Sequence, residues 1–435
     1  MNIPTPKNKN YCATVVALQD IYSLEGMDNA RGARVFGNQV IVSKSSQIGD
    51  IGLFFPVETA LDEEFLIQNG LLREKYGKDD QPPQKGFFDP SGRVKAIKMR
   101  GHKSEGFWCP ISFLGYLGDY NIPVLTDLDE IDDHIICRKY VAKRNPTSLR
   151  QHQPRAARAE DRILEGQFRF HYDTANLRRN AHVLTPNKEV IITEKLHGTS
   201  ICFGKLLTER PLKWTERLAK RLGIKVDDKT YELVWSSRRV IKGVGEPMGN
   251  KQHFYKTDLW GEVAREEGPK IPDSYTIYGE IVGYTPDGAE IQKCYTYGCL
   301  PGKHKLFVYR VTSTGLDGSV IELTWGQMTE FCERHGLETV PFRSKGRVSR
   351  ITGLESATGD QYVEALEHMF VGGDCRYNPG IPAEGVVVRI DHLHTSEAYK
   401  IKNFDFLLLE SKQADKGVVD IESEESVDAG SGEVL

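Results

Sequence analysis

One stretch, Glu194-Lys195-Leu196-His197-Gly198-Thr199-Ser200, most constrains what this chain folds into. The β-branched run at 189–193 predicts a buried strand before it, and 201–203 predicts a second strand after it. A lysine therefore lies at a strand end near a glycine, which lets a ligand approach the backbone closely. A desolvated lysine near other cations loses its proton more easily. The stretch therefore indicates a nucleophilic lysine in a ligand pocket.

Lys-x-x-Gly alone is a weak signal, but further segments follow it in order. Each places one or two polar or aromatic groups on or beside an apolar strand. They are Trp235-Ser236-Ser237-Arg238-Arg239, Tyr278-Gly279-Glu280-Ile281-Val282-Gly283, Leu306-Phe307-Val308-Tyr309-Arg310-Val311, Glu384-Gly385-Val386-Val387-Val388-Arg389 and Tyr399-Lys400-Ile401-Lys402.

This series resembles the collinear motifs of covalent nucleotidyltransferases: ATP-dependent DNA ligases, RNA ligases and mRNA capping enzymes. The resemblance covers about residues 185–403. DNA ligases and capping enzymes usually carry Asp where this chain has His197, so the lysine stretch is similar to that of RNA ligases. The motifs are specific together, although none is so alone.

The resemblance implies an α+β fold, in which a nucleotidyltransferase domain of antiparallel sheets with flanking helices occupies residues 166–412. Residues 1–130 carry several short strand patterns, at 12–18, at 33–42 with a break at Gly37-Asn38, at 52–57 and at 94–100. Short strands separated by Gly and Asn turns predict a small β-barrel. RNA ligases of the Deinococcus and Naegleria type have an OB domain in this position, so we expect an OB-type barrel. Lys95, Lys98 and Arg100 alternate with apolar residues and predict an RNA-binding face. The alternative is a solvated strand face.

Residues 131–165 read as a basic linker. It carries Arg138, Lys139, Lys143, Arg144, Arg150, Arg155 and Arg158 without an acid among them over 138–158. Such a segment is either a solvated tether or a source of phosphate contacts. The Arg178-Arg179 pair that follows could reach a phosphate of ATP or RNA. We favour the interpretation that both arginines are exposed on the surface. Residues 413–435 are acidic and predict a disordered tail.

A helix is expected within 211–222, where Trp214, Leu218 and Leu222 recur at helical spacing. We expect Trp214 to belong to the core. A second helix is expected over 327–335.

The resemblance also assigns roles in catalysis. Lys195 would attack the α-phosphorus of ATP and form lysyl-AMP, and the AMP would pass to an RNA 5′-phosphate before a 3′-hydroxyl displaces it. Lys400 and Lys402 lie two apart on a strand and so point the same way, toward the α-phosphate. They would also lower the pKa of Lys195.

The expected ATP-binding residues are Glu194, His197, Gly198, Arg238, Glu280, Tyr309 and Phe307. Tyr309 is the first choice for stacking on adenine and Phe307 the second. The long spacing from Lys195 leaves Arg239 as an alternative to Arg238. Glu384 is the expected ligand of Mg²⁺ or Mn²⁺, directly or through water.

The expected function is an ATP-dependent RNA ligase that acts in RNA repair on a nicked duplex or a broken structured RNA. Every expected ATP contact lies after residue 185, so we expect the barrel to serve RNA and not ATP. A capping-type guanylyltransferase is opposed by His197 and by the lack of a barrel after Lys402. A non-catalytic RNA-binding protein is opposed by the retained Lys195, Glu280 and Glu384.

Composition fits a water-soluble protein of two or three domains. The net charge of −4 requires any nucleic-acid surface to be a local patch. The eight cysteines form no Cys-x-x-Cys pair, which argues against a zinc site and for free thiols in a reducing compartment. No apolar run is long enough to span a bilayer. We expect a monomer in the cytoplasm, or in the nucleus of a eukaryote.

Overall fold

The computed structural model describes residues 1–73, 85–141, 159–247 and 257–418. Its N-terminal part consists of short strands, one α-helix and a 3-10 helix at Ile111–Leu114. The strands are β1 (Ala13–Ala17), β2 (Ile21–Ser23), β3 (Ala30–Val35), β4 (Asn38–Ser43), β5 (Ile51–Pro56), β6 (Thr59–Leu61), β7 (Ile97–Met99), β8 (His102–Ser104), β9 (Gly106–Pro110), β10 (Asp127–Leu128), β11 (Glu130–Ile131), β12 (His134–Ile135) and β13 (Cys137–Lys139). The helix is α1 (Glu63–Gln68).

These strands form small antiparallel sheets, in the orders β10-β1-β5-β9, β2-β3-β4, β13-β6, β7-β8 and β11-β12. The predicted strands at the positions of β1, β3, β4 and β5 are confirmed. The turn that joins β3 to β4 is Phe36-Gly37, one residue before the predicted break, because Asn38 already belongs to β4 and pairs with Val35. The predicted strand over 94–100 shortens to Ile97–Met99. Two apolar clusters fill the spaces between the sheets.

The second part contains the longer strands. They are β14 (Ala175–Asn176), β15 (Glu189–Lys195), β16 (Thr199–Glu209), β17 (Lys229–Ser236), β18 (Ile241–Val244), β19 (Glu246–Pro247), β20 (Tyr275–Gly283), β21 (His304–Thr314), β22 (Val320–Glu322), β23 (Glu338–Thr339), β24 (Phe342–Arg347), β25 (Asp374–Cys375), β26 (Asn378–Pro382), β27 (Gly385–Asp391) and β28 (Ser396–Lys402). Its helices are α2 (Trp214–Arg221), α3 (Leu259–Glu267), α4 (Trp325–His335), α5 (Val348–Thr352), α6 (Gly359–Phe370) and α7 (Phe404–Asp415).

Two sheets organise this part. One has the order β14-β28-β27-β15-β24, and the other runs β19-β18-β17-β16-β20-β21-β22 with β23 paired to β21. Side-chain alternation along β15 explains how the first sheet is covered on both faces. Val190 and Ile192 join the cluster that includes residues of α5 and α6, whereas Ile191 joins the cluster of the larger sheet. The expected α+β class, with antiparallel sheets and flanking helices, is confirmed.

The helix expected over 327–335 is confirmed as α4, which begins two residues earlier. Thr324 caps it, because its hydroxyl accepts from the Gln327 amide and the Gln327 side chain accepts from the Thr324 amide. None of the helices in the described ranges has both the length and the apolar character needed to cross a bilayer.

The core position expected for Trp214 is wrong. Helix α2 forms, but Trp214, Leu218 and Leu222 are 75, 50 and 71% exposed. The cause is the register of the sheet: β16 pairs with β17 as far as Glu209, but with β20 only as far as Gly204. The helix therefore sits at the tip of a hairpin that extends past the neighbouring strand.

The predicted disordered tail and basic linker are described only in part by the structure. Helix α7 continues to Asp415, so residues 413–415, which we assigned to a disordered tail, are helical. The assigned linker begins too early, because residues 134–135 and 137–139 form β12 and β13, and β13 pairs with β6. Residues 419–435 of the tail and 142–158 of the linker lie outside the described part of the chain. Those two predictions therefore stay predictions.

Arg178 and Arg179 do not form the expected surface pair, because both join the N-terminal part to the rest. Arg178 is 6% exposed; it donates to Glu105 Oε1 at 3.1 Å and also contacts Glu367. Arg179 donates to the Thr14 hydroxyl at 2.7 Å and contacts Asp127. Neither guanidinium lines the pocket described below.

A second set of contacts joins the N-terminal part to α7. Arg93 has a 1% exposed side chain, donates to Glu58 Oε1 at 2.7 Å and donates to the Ser411 carbonyl at 3.3 Å. Lys95 Nζ lies 2.8 Å from Asp415. The two parts of the chain are therefore held together by buried and half-buried charges.

We predict that Arg178→Met lowers the free energy of unfolding by about 3 kcal/mol, because the substitution leaves the carboxylates of Glu105 and Glu367 without their buried cation. Chemical denaturation followed by circular dichroism measures the change. The control is Arg350→Met at an exposed position of α5, which should shift stability by less than about 0.5 kcal/mol. Equal stability of the two variants would contradict this role of Arg178.

Candidate active site

A deep pocket lies between the two sheets of the second part, where the sequence motifs meet. Its walls include Lys195 at the end of β15, Glu280 on β20 and Tyr309 on β21. The edge toward α7 is formed by Glu384 before β27 and by Lys400 and Lys402 on β28. Antiparallel pairing aligns the ends of β15, β27 and β28, and this brings residues that are distant in sequence together in the pocket.

Lys195 is paired with a buried carboxylate. Its Nζ lies 2.8 Å from Glu384 Oε1, and the Glu384 side chain is only 3% exposed. Burial alone would raise the pKa of Glu384, but the charges of Lys195 and Lys402 outweigh burial and lower it. The carboxylate is therefore held ionised. Its second oxygen, Oε2, is buried and has no hydrogen-bond partner.

Lys400 and Lys402 point into the pocket from the same face of β28, as predicted, while Tyr399 and Ile401 pack into the opposite cluster. Their electrostatic environments differ. Burial, with the charges of Lys402 and Lys195, lowers the pKa of Lys400 to about 7. Burial also acts to lower the pKa of Lys402, but Glu410 at 3.3 Å and Glu384 at 3.7 Å raise it well above its usual value.

Close backbone contacts leave no room for a side chain at two glycines of the motifs, Gly198 and Gly385. A Cβ at Gly198 would lie 2.2 Å from the Ile281 carbonyl oxygen, and one at Gly385 would lie 2.0 Å from the Ile401 carbonyl oxygen. The close approach at Gly198 lets its amide donate to Glu280 Oε1 at 3.0 Å. The lysine stretch is thereby fixed against the larger sheet.

A bulge in β21 places the side chains of Tyr309 and Phe307 in different environments. The register of β20 and β21 shifts between Tyr278 and Gly279, so that their partners are Arg310 and Val308 and Tyr309 is left unopposed. Tyr309 lines the pocket and its hydroxyl bonds His171 Nδ1 at 3.2 Å. Phe307 is 4% exposed and packs in the core.

Arg238, and not Arg239, lines the pocket. Its guanidinium contacts Asp173 Oδ1, whereas Arg239 lies 3.5 Å from Asp173 Oδ2 and is more exposed. Burial would raise the pKa of Asp173, but the charge and hydrogen bond of Arg238 lower it. Asp173 therefore stays ionised and holds Arg238 against the pocket wall.

Glu194 and His197 also border the pocket. Glu194 forms an ion pair with Arg343 at 2.9 Å. The His197 ring packs edge-on between Tyr295 and Phe406, with centroids 4.9 Å from each. Its Nδ1 lies 3.9 Å from Glu384 Oε2, so His197 faces the buried carboxylate.

Sequence reasoning missed the segment 171–174, which forms one wall of the pocket through His171, Tyr172, Asp173 and Thr174. The signal that could have found it is the aromatic and charged run that begins at Phe168. It also missed Arg389, the last residue of the Glu384–Arg389 segment, which lines the pocket. Its guanidinium donates to the Leu323 carbonyl at 2.6 Å.

The expected separation between an RNA-binding N-terminal part and an ATP-binding second part is wrong in one respect. Tyr11, Glu58 and Lys139 belong to the N-terminal part, yet they line the same pocket. The contacts of Arg93 and Lys95 with α7 bring them there. Sequence position alone does not reveal such docking.

The three basic residues proposed for RNA lie in different places. Lys98 and Arg100 are exposed near the β7–β8 hairpin, whereas Lys95 is paired with Asp89 and Asp415. Lys95 thus contributes to the contact between the two parts. The RNA-binding role of Lys98 and Arg100 stays a prediction.

The described part of the chain contains no cluster of three or more His, Cys, Asp or Glu side chains arranged to hold a metal. The unpartnered, buried Oε2 of Glu384 is a suitable oxygen ligand within the pocket. Mg²⁺ commonly uses one or two protein carboxylates together with substrate phosphates and water. The site therefore fits a metal that arrives with a phosphate substrate.

The pocket holds a lysine paired with a carboxylate and two further lysines on one strand, between two antiparallel sheets. This is the arrangement that the sequence motifs predict for a covalent nucleotidyltransferase. Solved structures have the same fold. Three of them are Naegleria gruberi RNA ligase: a lysine-to-methionine variant with AMP and Mn, an arginine-to-alanine variant with ATP and Mn, and the ligase with PPi. Their TM-scores are 0.58, 0.58 and 0.57, each at 14% identity, and they cover 91, 94 and 93% of this chain and 97, 100 and 99% of the other.

No curated protein matches this chain. The sequence model of the RNA ligase family matches residues 188–402, which span the motifs from the strand before Lys195 to Lys402. Just under half of the chain, including every motif of the pocket, therefore matches the RNA ligase family.

We predict that binding of a non-cleavable ATP analogue at about pH 8 takes up nearly one proton. Above its lowered pKa Lys400 is mostly neutral in the free protein, and an anionic phosphate beside it raises that pKa, so a proton must bind. At about pH 5.5 Lys400 is already charged and this uptake should vanish.

Titration calorimetry in buffers of different ionisation enthalpy measures the uptake. Lys400→Met should remove it at the higher pH, whereas Lys345→Met, at an exposed position of β24, should not. Equal uptake by wild type and Lys400→Met would show that another group titrates.

Proposed function

We propose that this protein is an ATP-dependent RNA ligase that joins RNA 3′-hydroxyl and 5′-phosphate ends in RNA repair, through lysyl-AMP and RNA-adenylate intermediates. The observation that carries the proposal is the convergence of Lys195, Glu384, Lys400 and Lys402 in one pocket within the segment that matches the RNA ligase family.

In the first step the Lys195 amine attacks the α-phosphorus of ATP, and pyrophosphate leaves. Attack requires a neutral amine, so the ion pair of Lys195 with Glu384 has to be broken first. Lys402, held charged by Glu410 and Glu384, is suited to stabilise the negative charge that develops on the phosphorus oxygens. Lys400 gains its charge as the phosphate arrives. Tyr309 offers its ring to the adenine.

Glu384 is the residue proposed to hold Mg²⁺ or Mn²⁺, directly or through water. Bound there, the metal would offset phosphate charge and favour the unprotonated form of Lys195. Glu384 thus has two uses, as the partner of the lysine in the free protein and as a metal ligand in the loaded one.

In the second step AMP passes from Lys195 to an RNA 5′-phosphate, and in the third a 3′-hydroxyl attacks that phosphate and expels AMP. The same cations serve each step, because each places negative charge on a phosphorus centre. Residues 1–130 are proposed as an OB-type barrel that contacts RNA with Lys98 and Arg100, and residues 166–412 as the nucleotidyltransferase domain.

The proposed substrate is a nicked duplex or a broken structured RNA, and the proposed active form is a monomer. All eight cysteines are free thiols. Free thiols support a reducing compartment, either the cytoplasm or, in a eukaryote, the nucleus.

We predict that the purified protein, incubated with labelled ATP and magnesium, forms a covalent AMP adduct that survives a denaturing gel. Lys195→Ala should abolish the adduct because it removes the nucleophile, whereas Lys345→Ala on an exposed stretch of β24 should retain it. Labelling from GTP and not from ATP would favour a capping-type guanylyltransferase instead.

We predict that Glu384→Gln keeps the fold but lowers the rate of adduct formation by at least about 100-fold at limiting magnesium, since the amide cannot replace the charged ligand. Glu397→Gln on the exposed start of β28 is the matched control. Thermal melting verifies folding. Near-normal adduct formation by Glu384→Gln would exclude the metal role.

A further inference from the structure

Strand β24 forms one edge of the five-stranded sheet and carries a run of positive charge. In the described part of the chain no strand pairs with its outer side, since the sheet order β14-β28-β27-β15-β24 ends there. Residues 342–350 contain no acid, and all four of their basic side chains are exposed: Arg343, Lys345, Arg347 and Arg350. Because the net charge of the chain is −4, this run is a local basic patch.

A bulge decides which side chains of β24 share the pocket side of the sheet. Phe342 lies opposite Thr193 and Lys345 lies opposite Ile191, so β24 has one extra residue in this interval. Residues that lie opposite each other point to the same face of a sheet. Since Thr193 lines the pocket, Phe342 and Lys345 lie on the pocket side, and so does Arg347, two residues beyond Lys345.

Phe342 extends the pocket wall outward. Its ring stacks on that of Trp325, which lines the pocket, with centroids 6.1 Å apart and an angle of 28° between the planes. Phe342 is nevertheless 51% exposed. Charged side chains on an edge strand are explained by protection against pairing with other chains, but an exposed aromatic ring is not. Such a ring is suited to stack on a nucleic-acid base.

The two cations beyond Phe342 are available to a ligand. Arg343, at the bulge, is paired with Glu194 at 2.9 Å. Lys345 and Arg347, in contrast, form no ion pair with any residue in the described ranges, although the exposed Glu189 lies opposite Arg347. Two residues along a strand are separated by about 7 Å, a spacing similar to that of successive phosphates in a nucleic-acid strand.

We propose that Phe342, Lys345 and Arg347, here called the β24 row, bind the RNA strand whose end is joined. This inference rests on the proposed function. Phe342 stacks on a base at the pocket end of the row, and the two cations contact successive phosphates farther from Lys195. None of the three side chains lines the nucleotide pocket, so the row serves RNA and not ATP.

The first experiment measures binding of a labelled nicked RNA duplex at several salt concentrations, in a Lys195→Met background without ATP. Lys345→Ala combined with Arg347→Ala should reduce the slope of log affinity against log salt by about two, because each phosphate contact contributes about one. Arg265→Ala combined with Arg334→Ala is the matched control, which removes the same charge from exposed positions of α3 and α4. Equal slopes for the two double variants would overturn the proposal.

The second experiment separates the reaction steps in the otherwise wild-type protein. The Lys345→Ala, Arg347→Ala variant should form the AMP adduct at the wild-type rate, yet its KM for a nick with a pre-adenylylated 5′ end should rise about tenfold or more. The charge-conserving Lys345→Arg, Arg347→Lys variant should seal as wild type does. Parallel loss of adduct formation and sealing would indicate structural damage and overturn the proposal.

Stacking on Phe342 is tested with nicked duplexes that carry one abasic nucleotide at successive positions beside the nick. At one position the abasic nucleotide should weaken binding by the wild-type side chain about fivefold or more and weaken binding by Phe342→Ala no further. Phe342→Tyr keeps a ring and should respond as wild type does. An equal response of wild type and Phe342→Ala at every position would exclude the stacking role.

Failure of the inference and failure of the proposed function are distinguishable. A wild-type protein that seals none of these nicks would refute the proposed ligase function. The salt dependence of RNA binding requires no catalysis and would still decide whether the β24 row contacts RNA.

Discussion

The buried ion pair of Lys195 with Glu384 is the interaction on which the site depends. Glu384 is almost fully buried and is surrounded by Lys195, Lys402 and His197, so its charge is tolerated only because these partners are in place. The pairing of β27 with both β15 and β28 brings them together. One oxygen of this carboxylate is paired with Lys195 and the other has no hydrogen-bond partner. Under the proposed function, Glu384 exchanges this lysine for a metal ion.

The lysines of β28 show how one strand creates two chemical environments. Lys402 is enclosed by Glu384 and Glu410 and stays charged, whereas Lys400 lies among cations and loses much of its proton affinity. Residues two apart share a face, but only the neighbouring elements decide which carboxylates that face meets. The result is one lysine that stays charged and one that, under the proposed function, gains its charge when a phosphate binds.

The docking of the N-terminal part makes the pocket a product of both halves of the chain. Arg93 and Lys95 reach α7, while Arg178 and Arg179 reach back from the second part. We read the latter pair as a surface feature from the sequence because charged residues are mostly exposed. Their partners, Glu105 and Asp127, lie tens of residues away in the sequence, and no local pattern links them.

The sequence by itself determined the α+β class, the strand before Lys195, the shared face of Lys400 and Lys402, and the family resemblance. These follow from short-range periodicity and from motif order, which residues carry locally. Only the tertiary structure decided that a bulge turns Tyr309 to the pocket, that Trp214 is exposed beyond the sheet, and that Lys139 lines the same pocket as Lys195. The physical reason is that register, strand length and domain docking depend on contacts between segments far apart in the chain.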